Sequence, residues 1–161
     1  MNINNNIRYI DKNFNNYKLN KCHLSISIEN NSFVFCILNT VKYEYIYIEK
    51  LQLNHNVSIT NSINEIYNKL NILSENFYSY SLMYINNIYT IIPYPLFDNN
   101  ESKTYLNFNS LINESYKILY NSLKSTEDIN IYAIPDEIFK YFSSKYPEIK
   151  FYHHITPMLN E

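Results

Sequence analysis

Alternating apolar and polar residues predict three strands near the start of the chain. The segments are 22–29, 32–38 and 42–51. The first alternates strictly, with Leu24, Ile26 and Ile28 on one face, which is the pattern of a half-buried strand. The second is apolar on both faces, and the third is rich in β-branched and aromatic residues, which favour strands. We expect an antiparallel β-meander in which the second strand is central.

The pair Asn30-Asn31 predicts the register of the first hairpin. A two-residue loop at these asparagines places each apolar residue of the first strand opposite an apolar partner. The pairs are Ile28 with Phe33, Ile26 with Phe35 and Leu24 with Ile37. In the same register Cys36 lies opposite Ser25, on the face away from Cys22. A disulfide between the two cysteines is therefore geometrically disfavoured.

Helical and extended patterns alternate along the rest of the chain. The predicted helices are 61–74, 109–124 and a third that begins at Pro135 and stops before Pro147. The predicted strands are 79–85, 88–93, 129–134 and 150–156. A tight turn at Asn86-Asn87 is expected to join the first two of these strands. Ser62 and Glu65 fit a capping box at the first helix.

The second predicted helix, over 109–124, rests on the spacing of its apolar residues. Ile112, Tyr116, Leu119 and Leu123 would lie on one face of such a helix. In the third helix, Asp136 and Glu137 favour the N-terminus through the helix dipole. The apolar face of that helix would consist of Ile138, Phe139 and Phe142.

This order of elements predicts an α/β fold. Three antiparallel N-terminal strands followed by alternating helices and strands is the layout of the ribonuclease-H-like fold and of one lobe of actin-like ATPases. We expect a mixed central sheet flanked by helices, formed by a single α/β domain over residues 21–161. Residues 1–20 are expected to be a polar lead-in without assigned structure.

The chain of 161 residues contains no glycine, and this excludes several functions. Phosphate-binding loops need glycine where the backbone approaches the anion. A Walker A loop, a glycine-rich dinucleotide fingerprint and a kinase-type loop are therefore all excluded. Positions with positive φ must be filled by other residues, and asparagine and aspartate tolerate them best. The Asn-Asn pairs at 30–31, 86–87 and 99–100 are thus expected turns.

Charge and apolar runs argue against nucleic acid and membranes as partners. The formal net charge is −2, which provides no electrostatic attraction to polyanions. The longest apolar run, Phe33 to Leu38, is too short to span a bilayer. The first 20 residues do not resemble a signal peptide, and two cysteines do not make a disulfide framework. We expect a cytoplasmic protein.

The side chains that could carry catalysis are scattered along the predicted elements. The carboxylates Glu29, Glu44, Glu49, Asp136 and Glu137 fall at strand ends, on opposite faces or at a helix start. No zinc spacing links the four histidines, and His153 and His154 should point to opposite faces of a strand. The row Tyr43, Tyr45 and Tyr47 on one strand face could pack or meet a partner. We assign no catalytic, cofactor-binding or metal residue and expect no enzyme.

Several segments resemble the bacterial family called domain of unknown function 3822, found mainly in Bacteroidetes. The most specific element is Pro93, Leu96, Phe97 and Asp98, followed by the run 105–109. The family usually has glycine in the first hairpin, where this chain has Asn30-Asn31. The resemblance implies the first lobe of a two-lobe protein that looks like a degenerate actin-like ATPase. It implies no site residues, because none is established for the family.

Three hypotheses for function follow from the residues and the resemblance. The leading one is a non-catalytic scaffold that acts through a protein partner or a homodimer. A missing second lobe would leave apolar surface near Pro93–Phe97 or His153–Leu159. The second is an actin-like nucleotide-binding protein with a degenerate site. The third is a metal-dependent nuclease, which requires Glu29, Glu44 and Asp136 to converge.

Overall fold

The structure is a computed structural model that describes residues 7–29 and 31–159. The strands are β1 (Arg8–Ile10), β2 (Cys22–Glu29), β3 (Ser32–Asn39), β4 (Glu44–Gln52), β5 (Ser79–Tyr84), β6 (Tyr89–Pro93), β7 (Tyr116–Leu123), β8 (Asp128–Pro135) and β9 (Lys150–His153). The helices are α1 (Ile59–Lys69), α2 (Ser102–Asn107), α3 (Asp136–Lys145) and α4 (Ile155–Leu159). The expected α/β class is confirmed.

The chain divides into two compact units. The single α/β domain over 21–161 stays a prediction. The first unit contains the described residues up to Leu82 together with Glu148–Lys150. The second contains Met83–Pro147 and the described residues from Phe151 onward. Strands β5 and β9 contribute residues to both units.

Two sheets organise the strands. A six-stranded sheet has the order β1-β4-β3-β2-β5-β9, and a three-stranded sheet has the order β6-β8-β7. The predicted register of the first hairpin is confirmed, with Ile28 opposite Phe33 and Leu24 opposite Ile37. Asn30 of the predicted turn lies outside the described residues. Cys36 pairs with Ser25 as expected, and both cysteines are free.

Part of the segment expected to be an unstructured lead-in is ordered. Arg8–Ile10 forms β1, which pairs antiparallel with β4 and places Arg8 opposite Glu49. Short 3₁₀ turns follow at Phe14–Asn16 and Leu19–Lys21. The strand is three residues long and fully exposed, so its sequence lacks the alternation of a half-buried strand.

The predicted helix over 109–124 is wrong. Residues 116–123 form β7, which pairs with β8, and the preceding helix α2 ends at Asn107. The spacing of Tyr116, Leu119 and Leu123 fits a helix, but Tyr116, Ile118 and Tyr120 also fit a strand. Pairing with the buried strand β8 decided between the two periods.

Strands β5 and β6 do not form the predicted hairpin. They belong to different sheets, so the turn at Asn86-Asn87 connects two sheets rather than two paired strands. Asn86 instead binds backbone: its side chain donates to the Ala133 carbonyl at 2.8 Å and accepts from the Ile88 amide at 3.0 Å.

The first helix begins earlier than the capping box predicted. Ser58 is the N-cap, and its side chain accepts from the Asn61 amide at 3.3 Å. Ser62 is buried inside the helix and accepts from the Asn54 amide at 2.7 Å. The predicted apolar face is correct, since Ile63, Ile66 and Tyr67 are buried.

The third helix, α3, forms as predicted. Pro135 serves as its N-cap, Asp136 and Glu137 occupy the first turn, and the helix ends before Pro147. Strand β9 is shorter than the predicted 150–156. It ends at His153, and α4 begins at Ile155.

Asparagine does not take the positive-φ positions among the described residues. Tyr43, with φ 56°, and Glu127, with φ 57°, occupy them instead. Asn99-Asn100 lies in a 3₁₀ turn at Asn99–Glu101, capped by Asp98. The absence of glycine was therefore met by side chains that the left-handed region tolerates poorly.

Candidate interaction surface

The carboxylates considered for metal binding do not gather in the first unit. Glu29 pairs with Ser32 at one end of β2, whereas Glu44 pairs with Asn39 at the opposite end of the meander. Seven residues along a strand correspond to roughly 23 Å. Within 7–29 and 31–159, no group of three histidine, cysteine, aspartate or glutamate side chains could hold a metal ion.

The carboxylate of Glu49 is held by neighbouring side chains of β1 and β4. It is buried, and its carboxylate accepts a hydrogen bond from the Tyr47 hydroxyl at 2.7 Å. Arg8 donates to the same hydroxyl at 3.0 Å, and its Nε lies 3.6 Å from Glu49 Oε2. Burial raises the pKa of Tyr47. This cluster ties β1 to β4.

A bulge breaks the predicted tyrosine row of the third predicted strand. The register between β3 and β4 shifts between Ile37 and Leu38, so Ile46 and Tyr47 are both buried. Tyr43 precedes β4 and is 81% exposed, whereas Tyr47 is 4% exposed and stacks on Phe35 at 5.1 Å. The three rings therefore do not form one binding face.

The histidines have different surroundings. His23 bonds Ser79 and Ser81, each at 2.8 Å, and burial lowers its pKa, with a smaller effect of Lys150. His55 is exposed. His153 and His154 were expected on opposite faces, but their ring centroids lie 4.3 Å apart. The strand ends at His153, so strand alternation does not reach His154.

In the second unit, two exposed apolar segments flank one turn. The turn joins β7 to β8, and each segment shares a hydrogen bond with it. The Tyr94 amide donates to the Glu127 carbonyl at 3.1 Å, and the Ser125 hydroxyl donates to the Leu159 carbonyl. We define the turn surface as Tyr94, Leu96, Met158 and Leu159 around this turn. Its apolar side chains lie where the sequence placed the exposed segments Pro93–Phe97 and His153–Leu159.

The side chains of the turn surface are strongly exposed for apolar residues. Tyr94 is 65% exposed, Leu96 is 68% and Met158 is 66%. A cleft of about 370 Å³ runs beside Tyr94 and is lined by Lys124, Glu127 and Asp128 among others. A cluster of exposed apolar side chains beside polar residues is typical of a protein-binding site.

The first half of the turn surface is held by aromatic residues. Tyr94–Leu96 forms a 3₁₀ turn directly after Pro93, because proline cannot extend the ladder of β6. The Tyr105 hydroxyl donates to the Leu96 carbonyl at 2.9 Å and accepts from the Asp98 amide at 3.2 Å. Phe97 packs against Tyr120 with ring centroids 5.0 Å apart.

The second half is held by a buried polar chain that the sequence did not reveal. Asn130 Nδ2 donates to Thr156 Oγ1 at 3.0 Å, and Thr156 Oγ1 donates to Asn121 Oδ1 at 3.0 Å. Asn121 in turn donates to the Phe151 carbonyl at 3.1 Å. Asn121 and Asn130 are register partners on β7 and β8, so the sheet itself positions the amides that hold α4.

His153 completes the buried polar region next to α4. Its Nε2 lies 3.0 Å from the Asn86 carbonyl and donates to it, since a carbonyl only accepts. The ring packs 4.7 Å from Tyr89 and 5.5 Å from Tyr132. Burial lowers the pKa of His153 to about 4, although the bond to Asn86 acts in the opposite direction. At neutral pH this histidine is therefore uncharged.

The turn surface has the side chains of a protein-binding site. It presents apolar side chains, while the polar groups that hold it, from Asn121, Asn130 and Thr156, are buried or half-buried beneath it. No sequence motif pointed to these three residues, because asparagine is abundant in turns throughout the chain. Asn121 and Asn130 are recognisable as a pair only when residues 116–123 are known to form a strand beside β8.

Comparison with known proteins gives one family and one fold. The family model described as Protein of unknown function (DUF3822) matches residues 11–161. A crystal structure from Bacteroides thetaiotaomicron VPI-5482, of a protein with an actin-like ATPase fold and unknown function, matches with a TM-score of 0.82 and 23% sequence identity. The match covers 87% of this chain and 55% of that one. No curated protein matches the chain.

These comparisons confirm the expected actin-like fold. At this level of identity the likeness concerns the fold alone, and the chain spans about half the length of the similar protein. Of the helices described in the structure, none has the length and apolar character needed to cross a membrane.

Proposed function

Because the chain belongs to the DUF3822 family of proteins of unknown function, we propose that it is a non-catalytic scaffold that binds another protein or a second copy of itself through the turn surface. One observation carries the proposal. Two segments far apart in sequence expose apolar side chains, and both are joined to the same turn by hydrogen bonds.

The proposal extends to the architecture and location of the protein. We assign the chain to the first lobe of a two-lobe protein, a view supported by the coverage of 55% of the similar structure. The proposed location is the cytoplasm, because free cysteines such as Cys22 and Cys36 are typical of a reducing compartment.

The test compares two double variants, each of which replaces one exposed aromatic side chain and one exposed leucine with serine. Tyr94→Ser with Leu96→Ser alters the turn surface, and Phe108→Ser with Leu111→Ser alters exposed residues elsewhere in the second unit. Self-association is measured by sedimentation, and partner binding by quantitative capture from the organism that encodes the protein. We expect the first variant to lose the association and the control to keep it. An association that survives the first variant contradicts the proposal.

A second candidate is nucleotide binding at a degenerate actin-like site. It is favoured by the similarity to a protein with an actin-like ATPase fold. It is opposed by the absence of glycine, which removes the usual phosphate-binding loops. Calorimetric titration with ATP and Mg²⁺ separates the two: measurable ATP binding would favour this candidate and count against a pure scaffold.

A nuclease is not supported by the positions of the carboxylates. That function required Glu29 and Glu44 to contribute to one site, and the register places them at opposite ends of the meander.

A further inference from the structure

Strand β7 is an edge strand of the three-stranded sheet. In the order β6-β8-β7 it has a partner on one side only. It is eight residues long and contains no proline, whereas β6 at the other edge is five residues long and ends at Pro93. Long edge strands present unpaired peptide groups to which another strand can add, and proline is one device that prevents it.

The register shows which peptide groups of β7 point away from the sheet. The Ala133 amide donates to the Ile88 carbonyl at 3.0 Å, so Ala133 bonds toward β6, and its register partner on β7 is Ile118. The Asp136 amide donates to the Ser115 carbonyl at 2.8 Å, in the same register. Hydrogen-bonded pairs alternate in an antiparallel ladder, so Lys117 and Leu119 bond to β8.

The groups of Ile118 and Tyr120 therefore point outward. Within the described parts of the chain, the outward amide and carbonyl of Ile118 have no hydrogen-bond partner. The Tyr120 carbonyl accepts from Asn121 Nδ2 at 3.1 Å. The same Asn121 Nδ2 also donates to the Phe151 carbonyl at 3.1 Å. The accessible stretch is residues 117–120.

A groove of about 450 Å³ follows this stretch. Four consecutive residues of β7, Lys117 to Tyr120, line it. Since successive side chains of a strand point to opposite faces, a groove that touches all four runs along the edge of the strand rather than over one face. Asn99 and Lys103 also line the groove.

The charge of the groove indicates the chemistry of its occupant. Lys103 and Lys117 line it, and no carboxylate does. Both lysines are exposed, and the Lys117 ammonium lies 5.2 Å from the centre of the Phe139 ring. Strand addition is a known mode of peptide recognition, in which main-chain bonds give affinity and side chains give specificity.

The geometry points to strand addition at β7 by an extended, acidic segment of a protein partner. The segment pairs through its main chain with the amide and carbonyl of Ile118 and the amide of Tyr120, and it places carboxylates near Lys103 and Lys117. The inference rests on the proposed function, because it assumes that the chain binds other proteins. It adds a second binding surface to the same unit and states which kind of segment binds there.

The first test uses the full wild-type chain and synthetic peptides. The probe is a short peptide of alternating valine and glutamate with blocked ends. One control peptide has lysine in place of glutamate, and another carries N-methyl groups on alternate amides. We expect only the unmethylated acidic peptide to bind, measured by fluorescence anisotropy, and amide exchange of Ile118 to slow about tenfold on binding. Failure of that peptide to bind, or equal binding of the methylated one, overturns the inference.

The second test reverses charge in the groove. Lys103→Glu with Lys117→Glu is expected to weaken binding of the acidic peptide about tenfold. The control, Lys12→Glu with Lys18→Glu, makes the same charge change in the first unit and should leave binding unchanged. Equal effects of the two variants contradict the inference, as does a dimer in which the Ile118 amide is protected without peptide. The Tyr94→Ser, Leu96→Ser variant should still bind the peptide. Peptide binding at β7 can therefore be tested separately from partner binding at the turn surface.

Discussion

The side chain of Asn130 donates to the hydroxyl of Thr156 at 3.0 Å in the buried interior of the second unit. This bond joins the central strand of the three-stranded sheet to α4, whose far end carries Met158 and Leu159 of the turn surface. The exposed apolar residues are thus fixed from beneath by a buried polar contact.

Thr156→Val is expected to reduce the free energy of unfolding by about 1–3 kcal/mol. The change preserves shape but removes the hydroxyl that accepts from Asn130, which leaves the buried Asn130 amide without its acceptor. It also removes a donor to Asn121 Oδ1, which still accepts from the His153 amide at 3.4 Å. Urea unfolding measures the effect. The matched control is Thr104→Val at an exposed position of α2, and equal stabilities of the two variants would contradict the role of Thr156.

Acidification should destabilise the protein through His153. Its pKa is lowered from the model-peptide value of 6.5 to about 4, chiefly by burial. Between these values the unfolded chain binds a proton that the folded chain does not, so stability falls as pH falls. Above pH 6.5 the free energy of unfolding is largely unaffected by this histidine. As the pH falls to about 4, the free energy of unfolding decreases by about 3 kcal/mol.

The pH dependence is checked with two variants. His153→Gln should flatten the decrease of the free energy of unfolding between pH 6.5 and pH 4. His55→Gln, at an exposed histidine, should retain the wild-type slope. A wild-type slope in both variants would assign the acid sensitivity to other groups.

Tyr47→Phe should destabilise the first unit by about 1–3 kcal/mol, because Glu49 is buried and loses the hydroxyl that donates to its carboxylate. Tyr45→Phe is the control, since Tyr45 is 55% exposed on the same strand. Thermal unfolding followed by circular dichroism compares them. Similar melting temperatures would show that Arg8 alone satisfies Glu49.

Ser58→Ala is expected to lower stability by about 1 kcal/mol, as is usual for loss of an N-cap. Glu65→Ala should have little effect, because the capping box predicted at Ser62 is absent and Ser58 caps α1. Chemical unfolding of both variants decides between the two assignments of the helix start. A larger loss in Glu65→Ala would favour the capping box.

The meander was predictable because its pattern is local and redundant. Strict alternation in β2 and the apolar partners in β3 agree on one register, and the structure has that register. Strand β8 and helix α3 were also predictable, since a buried run and Pro135 delimit them. These elements depend little on distant parts of the chain.

The remaining elements depend on partners that sequence does not reveal. The apolar residues of 116–123 fit both the helical and the strand spacing, and only pairing with β8 makes this segment a strand. The bulge at Ile37 and Leu38 redirects Tyr47 into the core, and no local signal marks it. For the candidate site, the exposed segments were predicted, but the Asn121, Asn130 and Thr156 contacts that support them were not.

Tyr43 and Glu127 adopt left-handed backbone without glycine, and this has an evolutionary consequence. A residue with a Cβ atom is disfavoured there by roughly 1–2 kcal/mol. Substitution of glycine at either site would therefore remove this backbone strain and raise the thermal stability of the protein. A relative encoded with a richer supply of glycine codons could tolerate more damaging mutations elsewhere before it lost its fold.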